Sequence, residues 1–218
     1  MKTRFFKLFA ITLIISLTSC KNEKANVFTD YKFSDKPETL ACEGMDTKLL
    51  KEALYTFEDD IIKHYNSKNS NLSQSYSRFI NEAISNRLKI EDLISAHTVK
   101  VFEALKNNNA LWDLNNANNK LNYNSEALKC IANNINDNRL KSIFNSLLST
   151  NSMSPKLFGA ALQSNARILL NDRYVATYVA LDFYYSKLFD VDFTKVNLEV
   201  PQTNVDFNKI PPSEPKEN

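Results

Sequence analysis

The two histidines are the residues whose type and placement could support catalysis or metal binding. His64 and His97 are the only histidines in a chain of 218 residues. Wound as helices at about 100° per residue, the surrounding segments place both imidazoles on apolar faces. If these helices pack together, Asp60, one turn before His64, would complete a set of two histidines and one carboxylate suited to a transition metal. The alternative, which we favour, is a pair of partly buried structural histidines and no metal site.

A stripe of tyrosines near the C-terminus is the second candidate site. Tyr174, Tyr178 and Tyr185 fall on one side of a predicted helix. Their rings could line a pocket for a sugar, a lipid or a planar cofactor, because each ring has an apolar body and a polar tip. Packing in the core, with the small residues at 159–161 accepting the rings, explains the stripe as well.

Residues 107–124 form an asparagine-rich segment in which nine of eighteen residues are asparagine. Asparagine favours turns because its side chain competes for backbone hydrogen bonds, so we predict a long loop here. Trp112, the only tryptophan, lies within it. This ring is either a clamp buried in the core or a contact for a ligand or partner, since tryptophan is enriched at binding hot spots.

Motifs that would mark an enzyme are missing from the sequence. The chain has only two glycines, so the closely spaced glycines of phosphate-binding loops and nucleophile turns are absent. Neither an HExxH helix nor a CxxC pair occurs. We therefore predict a protein that is not an enzyme and uses no cofactor. A metal-dependent enzyme using His64 and His97 is a minor alternative.

The N-terminus has the pattern of an export signal. Three basic residues within the first seven positions precede an apolar run at 8–17. A run of about ten residues is too short to span a membrane as a helix. It ends in the sequence Leu, Thr, Ser, Cys at 17–20. This box resembles the processing site of bacterial lipoproteins.

The resemblance implies removal of residues 1–19 and attachment of lipid to Cys20. Several acyl chains on one cysteine would hold the protein on a membrane more firmly than a single chain can. Lys21 stands where an aspartate would resemble an inner-membrane retention signal. The expected location is therefore the bacterial cell envelope, at the outer membrane, with the periplasmic and the surface-exposed face both open.

Removal of the signal also changes the charge of the chain. The full sequence has a formal charge of +2, and three basic residues lie in the signal, so the processed chain is at −1. A nearly neutral, exported chain has no basic face suited to phosphates, and nucleic acid is not an expected partner.

Export makes the two other cysteines informative. Cys42 and Cys130 would sit in an oxidising compartment, where they could form a disulfide. A free, buried thiol at Cys130 is the alternative, because that residue falls within a helical pattern.

Apolar residues recur at steps of three and four along most of the chain, which predicts helices. No proline occurs between Pro37 and Pro155, and glycine is nearly absent, so the usual helix breakers are missing. The charged side of the first helix is expected to face solvent. The apolar stripes lie at about 47–66, 72–84, 90–105, 123–135, 140–148, 155–170 and 171–189, of which the last two could be one continuous helix.

These patterns predict an all-α protein, a single bundle of six to seven helices with an extended C-terminal segment. The expected divisions are a signal at 1–19, a lipid-anchored tether at 20–40, a helical domain at 41–190 and an extended strap and tail at 191–218. Alternation at 196–200 suggests an edge strand within the strap. The expected function is a binding or assembly accessory with an envelope protein as partner. A helical receptor for a small ligand, lined by the tyrosine stripe, is the alternative.

Overall fold

The computed structural model describes residues 28–65, 71–116 and 120–198, and within these ranges the protein is all α-helical with no strand. Seven α-helices pack around one hydrophobic core, as the apolar periodicity predicts. None of the helices in the described ranges is long and apolar enough to cross a membrane. The helices are α1 Thr47–Tyr65, α2 Leu72–Ile84, α3 Ala96–Lys106, α4 Glu126–Asn134, α5 Asn138–Ser149, α6 Pro155–Gln163 and α7 Arg173–Val179.

The C-terminal helix lies at the centre of the bundle. After α7 the chain continues through a π-helical turn at Ala180–Tyr184 and a 3-10 segment at Tyr185–Asp190. Every side chain from residue 175 to residue 186 is buried. A helix buried on all sides must be surrounded by other elements. This helix packs against α1 and α4, and it is the element that organises the core.

Helix α1 is the second central element, and its charged side is not solvated as the sequence predicts. Glu58 and Asp60 are buried because each has partners from distant parts of the chain. Glu58 accepts hydrogen bonds from the Tyr76 hydroxyl at 2.6 Å and from the Arg173 guanidinium at 2.7 Å. A buried carboxylate is tolerable only with such partners, and none of them is adjacent in sequence.

The segment before α1 packs against the bundle instead of standing off it. The buried Glu52 carboxylate accepts hydrogen bonds from the backbone N–H groups of Lys32 at 2.7 Å and Phe33 at 3.0 Å. The buried Lys51 ammonium donates to the carbonyl oxygens of Ser34 and Lys36. The folded body therefore begins by residue 28, and of the predicted 20–40 tether only residues 20–27 lie outside the described part.

A disulfide fixes the same segment to the other side of the bundle. Cys42 and Cys130 are bonded, so the chain just before α1 is joined to α4. This is one of the two outcomes that the sequence left open. The bond closes a loop with a sequence separation of 88 residues.

Helix boundaries follow the capping residues more closely than the apolar stripes. Helix α3 begins after Ser95, whose hydroxyl accepts from the Thr98 N–H in a capping box, so the predicted start at residue 90 is wrong. Helices α6 and α7 are separate, because Asp172 caps α7 and a 3-10 turn at Ala166–Leu170 precedes it. Residues 196–198 form no strand, and 199–218 lie outside the described ranges.

Candidate functional site

The asparagine-rich loop is pinned to the bundle by its tryptophan. The Trp112 ring is buried, its indole N–H donates to the Leu105 carbonyl at 2.8 Å, and its ring packs edge-on against Phe189 at 5.0 Å. An isolated backbone bridge pairs Trp112 with Leu121, where the loop returns towards the bundle. The ring is a clamp, and a partner cannot contact it without opening the core.

Asparagine side chains then hold the loop in shape. The Asn122 amide donates to the Ala110 carbonyl at 3.1 Å, and its oxygen accepts from the Asn124 N–H at 3.0 Å. The Asp113 carboxylate accepts from the Asn115 N–H at 3.1 Å. These contacts hold the loop in one shape. The side-chain amide of Asn124 takes part in neither of the two Asn122 hydrogen bonds.

Two helices end in the same way and each delivers an asparagine to a cavity. Helices α2 and α5 are followed by Asn86 and Asn151, with φ of 54° and 50°. The Asn151 N–H donates to the Leu148 carbonyl and the Ser152 N–H to the Leu147 carbonyl, which is the pattern of a Schellman motif. Asparagine tolerates this left-handed conformation better than other residues with a side chain, so it replaces the usual glycine.

The loop and the end of α5 enclose a polar cavity, which we call the amide cavity. Its volume of about 320 Å³ lies within the usual range of about 300–1,000 Å³ for small-molecule sites. Four asparagines contribute to the wall. The lining residues are Asp113, Asn116, Leu121, Asn122, Tyr123, Asn124, Leu148, Asn151, Met153 and Ser154.

A buried carboxylate supports the wall of the amide cavity from behind. Asp182, in the π-helical turn, accepts hydrogen bonds from the hydroxyls of Tyr123 at 3.1 Å and Tyr178 at 2.6 Å. Burial, and then the charge of Asp182, raise the pKa of Tyr178 well above its ordinary value. The Tyr178 hydroxyl therefore stays protonated and remains a donor, and the Tyr123 ring that lines the cavity is held by the same acid.

The chemistry of this wall suits a neutral ligand rich in hydroxyl groups. Each amide offers two N–H donors and a carbonyl acceptor, and a sugar hydroxyl both donates and accepts. The Tyr123 ring adds an apolar surface of the kind that packs against a sugar face. An anion would be repelled by Asp113.

A second cavity, which we call the charged cavity, lies on the other side of the turn before α6. Its volume is about 450 Å³. Its wall combines apolar side chains with two lysines and two acids. The lining residues are Ala83, Asn86, Leu88, Ile90, Glu91, Ser154, Pro155, Lys156, Phe183, Lys187, Asp190 and Val191.

The two histidines do not meet in a site. His97 is buried and its Nε2 donates to the Glu52 carboxylate at 2.7 Å, while its Nδ1 lies 3.8 Å from the Asp30 carboxylate. His64 is exposed, which corrects its predicted apolar position, and its Nδ1 donates to the Asp92 carbonyl at 3.1 Å. Each imidazole has a separate structural partner.

Asp60 is likewise committed to partners other than a metal. Its carboxylate accepts hydrogen bonds from the Thr98 hydroxyl and from the Tyr184 hydroxyl, the latter at 2.6 Å. Burial raises the pKa of Asp60, although both hydrogen bonds act in the opposite direction. Within 28–65, 71–116 and 120–198, no three histidine, cysteine or acidic side chains group as metal ligands.

The tyrosine stripe lies in the core and lines neither cavity. Tyr178 and Tyr185 are fully buried, and the Tyr185 hydroxyl donates to the Ala53 carbonyl at 3.1 Å. Tyr174 is partly buried, and its hydroxyl accepts from the Ala41 N–H at 3.1 Å. These rings pack in the core, as the alternative interpretation of the stripe expects. The aromatic residues that line the two cavities are instead Tyr123 and Phe183.

One residue of the amide cavity has a signal in the sequence, although it is not a catalytic residue type. Asn151 follows a predicted helix in a chain with two glycines, so it was a candidate for the left-handed position that ends a helix. The loop at 107–124 was recognised, but its partner across the cavity was not. The pairing depends on where α5 ends in three dimensions.

Comparison of the chain with known proteins finds no match. No protein-family model, curated protein or solved structure is similar enough to the chain to count as a match.

Proposed function

We propose that the protein is a lipid-anchored bacterial envelope protein that acts as a binding accessory, without catalysis, by holding a glycan in the amide cavity. The observation that carries the proposal is the cavity itself: four asparagines, one tyrosine ring and a volume of about 320 Å³. Amides and an aromatic face together suit sugar hydroxyls and a sugar ring.

The position of the folded body supports the anchoring part of the proposal. Phe28, where the described body begins, is eight positions after Cys20 in the sequence. A chain of that length spans at most about 29 Å when fully extended. Lipid on Cys20 would therefore keep the folded body close to the membrane surface, where envelope glycans are found. The Cys42–Cys130 disulfide suits an exported protein.

The anchor is tested by replacing Cys20 with alanine. Lipidated protein should fractionate with outer membranes, and its N-terminal peptide should carry the mass of attached acyl chains. The Cys20→Ala protein should lose both properties. Wild-type protein that carries no acyl chains and does not fractionate with membranes would contradict the anchor. That result would not bear on glycan binding in the amide cavity.

Glycan binding is tested by calorimetry on the purified lipidated protein in detergent, with an oligosaccharide of N-acetylated amino sugars as the probe. The Asn151→Gly variant removes one amide from the wall and keeps the left-handed backbone that the turn needs. We expect it to bind about fivefold to tenfold more weakly, the effect of one lost hydrogen bond.

Asn86→Gly is the matched control, because Asn86 occupies the same left-handed position after α2 but lines the charged cavity. It should bind the oligosaccharide as the wild type does. Equal affinity for wild type and Asn151→Gly, or no binding of the probe at millimolar concentration, would overturn the glycan proposal.

A protein partner in the envelope would use a different residue from the one that the sequence suggested. Trp112 is buried, whereas Leu114 in the same loop is 59% exposed. We therefore place a protein contact at Leu114. Purification from gently solubilised membranes should recover a stoichiometric partner with the wild type and lose it with Leu114→Ser. Equal recovery with both proteins would exclude Leu114.

A further inference from the structure

The two cavities meet at one residue, Ser154, which lines both of them. Ser154 is the N-cap of α6, and its hydroxyl accepts from the Leu157 N–H at 3.3 Å, so its position is fixed. Met153 faces the amide cavity and Pro155 faces the charged cavity. A ligand with a group attached beyond the sugars that fill the amide cavity can therefore extend across this turn into the charged cavity.

The charged cavity differs from the amide cavity in what it can accept. Its floor includes Leu88, Ile90 and Phe183, and four charges lie around it. Within the described residues, none of the lysines and acids of this cavity forms an ion pair. Lysines elsewhere in the bundle, such as Lys51 and Lys129, do have acidic partners.

The balance of these charges selects among the groups that a glycan can carry. Lys156 and Lys187 would attract a carboxylate, and Glu91 and Asp190 would attract an amine. A simple acyl chain would leave all four charges without partners, and a phosphorylated group without an amine would leave Glu91 and Asp190 without partners. A short peptide offers carboxylates, an amine and small apolar side chains together.

The wall of the charged cavity is held by tight packing behind Phe183. Phe183 belongs to the π-helical turn, an irregularity that often occurs at functional sites. Its ring packs beside Gly159, where an added Cβ would lie 3.0 Å from the ring and 2.4 Å from Ile84. A wall fixed by such packing lowers the entropy lost on binding.

We infer that the ligand is a glycopeptide, with its sugars in the amide cavity and a short peptide bearing both charges in the charged cavity. This inference rests on the proposed glycan function and specifies its ligand class. The peptide part adds affinity through groups that the glycan alone does not have.

The test compares three probes on the lipidated protein in detergent: an amino-sugar disaccharide, a tetrapeptide with a free amine and carboxylates, and the two joined covalently. We expect the joined probe to bind at least tenfold more tightly than the disaccharide. Lys187→Gln should remove most of that gain and leave disaccharide affinity unchanged. Lys129→Gln, at an exposed lysine outside both cavities, should change neither affinity.

The outcomes separate the inference from the function on which it rests. If the disaccharide binds and the joined probe binds no better, the glycopeptide inference fails and the glycan function stands. If the tetrapeptide alone binds as tightly as the joined probe, the two cavities do not act together and the inference also fails. If no probe containing the disaccharide binds, the glycan function fails and the inference fails with it.

Discussion

The region around Glu52 and the amide cavity are both rich in polar side chains, but they use them in opposite ways. Glu52 is fully buried, and its carboxylate accepts from His97 and from the N–H groups of Lys32 and Phe33. In the amide cavity the asparagines hold a loop and also face an open space. The first region joins parts of the chain to each other, and the second is available to another molecule.

This difference shows why residue type alone is a poor guide to function. A histidine beside a buried acid has the elements of acid–base chemistry. Here those groups are hydrogen-bonded to one another and to the backbone of the N-terminal segment, so their role is to stabilise the fold. Asparagine has no such reactivity, yet it lines the space that can accept a ligand.

The largest expected effect comes from opening the disulfide that holds the N-terminal segment. Replacing Cys42 and Cys130 together with serine should lower the free energy of unfolding by about 4 kcal/mol, since the bond restricts a long loop in the unfolded chain. Urea denaturation followed by circular dichroism measures the change. Affinity for the glycan should stay the same in the folded fraction. A loss of less than about 1 kcal/mol would show that the segment is held by its other contacts.

Removal of the Glu52 carboxylate should have the next largest effect. Glu52→Ala removes the acceptor of the buried His97 imidazole and of two backbone N–H groups, so we expect a loss of about 3 kcal/mol in the same denaturation experiment. Asp59→Ala is the control, because Asp59 pairs with Lys63 on the same helix and these two side chains are 37% and 61% exposed. It should cost less than about 1 kcal/mol. Similar losses for the two variants would mean that Glu52 is no more important than a surface ion pair.

Alanine substitutions at the two glycines compare the wall of the charged cavity, at Gly159, with a turn at Gly44. Gly159→Ala places a Cβ against Ile84 and Phe183, and we expect a loss of about 2 kcal/mol from overpacking. Gly44→Ala meets no atom within 4 Å, but its φ is +72°, so only backbone strain of about 1 kcal/mol opposes it. Gly159→Ala alone should weaken binding of the joined probe. Equal affinity of the two variants for the joined probe would mean that Phe183 does not contact the ligand.

The sequence predicted the helices well where local signals decide them. Helix α1 was expected at 47–66 and is found at Thr47–Tyr65, because its apolar stripe and its start are both local features. The capping box at Ser95 was also present in the sequence, but the apolar residues before it drew the predicted helix too far back. Local signals are therefore sufficient to place the start of both helices.

The sequence could not predict which charged residues are buried. The partners of Glu58 are Tyr76 and Arg173, the latter 115 residues away, so its burial depends on the assembled bundle. The amide cavity has the same origin, since its two walls come from the 107–124 loop and the end of α5. Such juxtapositions are tertiary, and a periodicity along the chain does not contain them.

The smallest expected effect concerns Asp60, a buried acid that has partners but still resists ionisation. Burial raises its pKa above the ordinary value of 3.8, so the folded protein holds this proton more readily than the unfolded chain does. Its contribution to stability is therefore complete below pH 3.8 and is lost as the pH rises through the pKa of the folded state. Asp60→Asn keeps an acceptor for Tyr184 and cannot ionise. Its melting temperature relative to the wild type should rise between pH 3 and pH 7, measured by calorimetry at matched salt, because only the wild type loses this contribution. A difference that stays constant over the range, or falls, would show that the hydrogen bonds from Thr98 and Tyr184 outweigh burial.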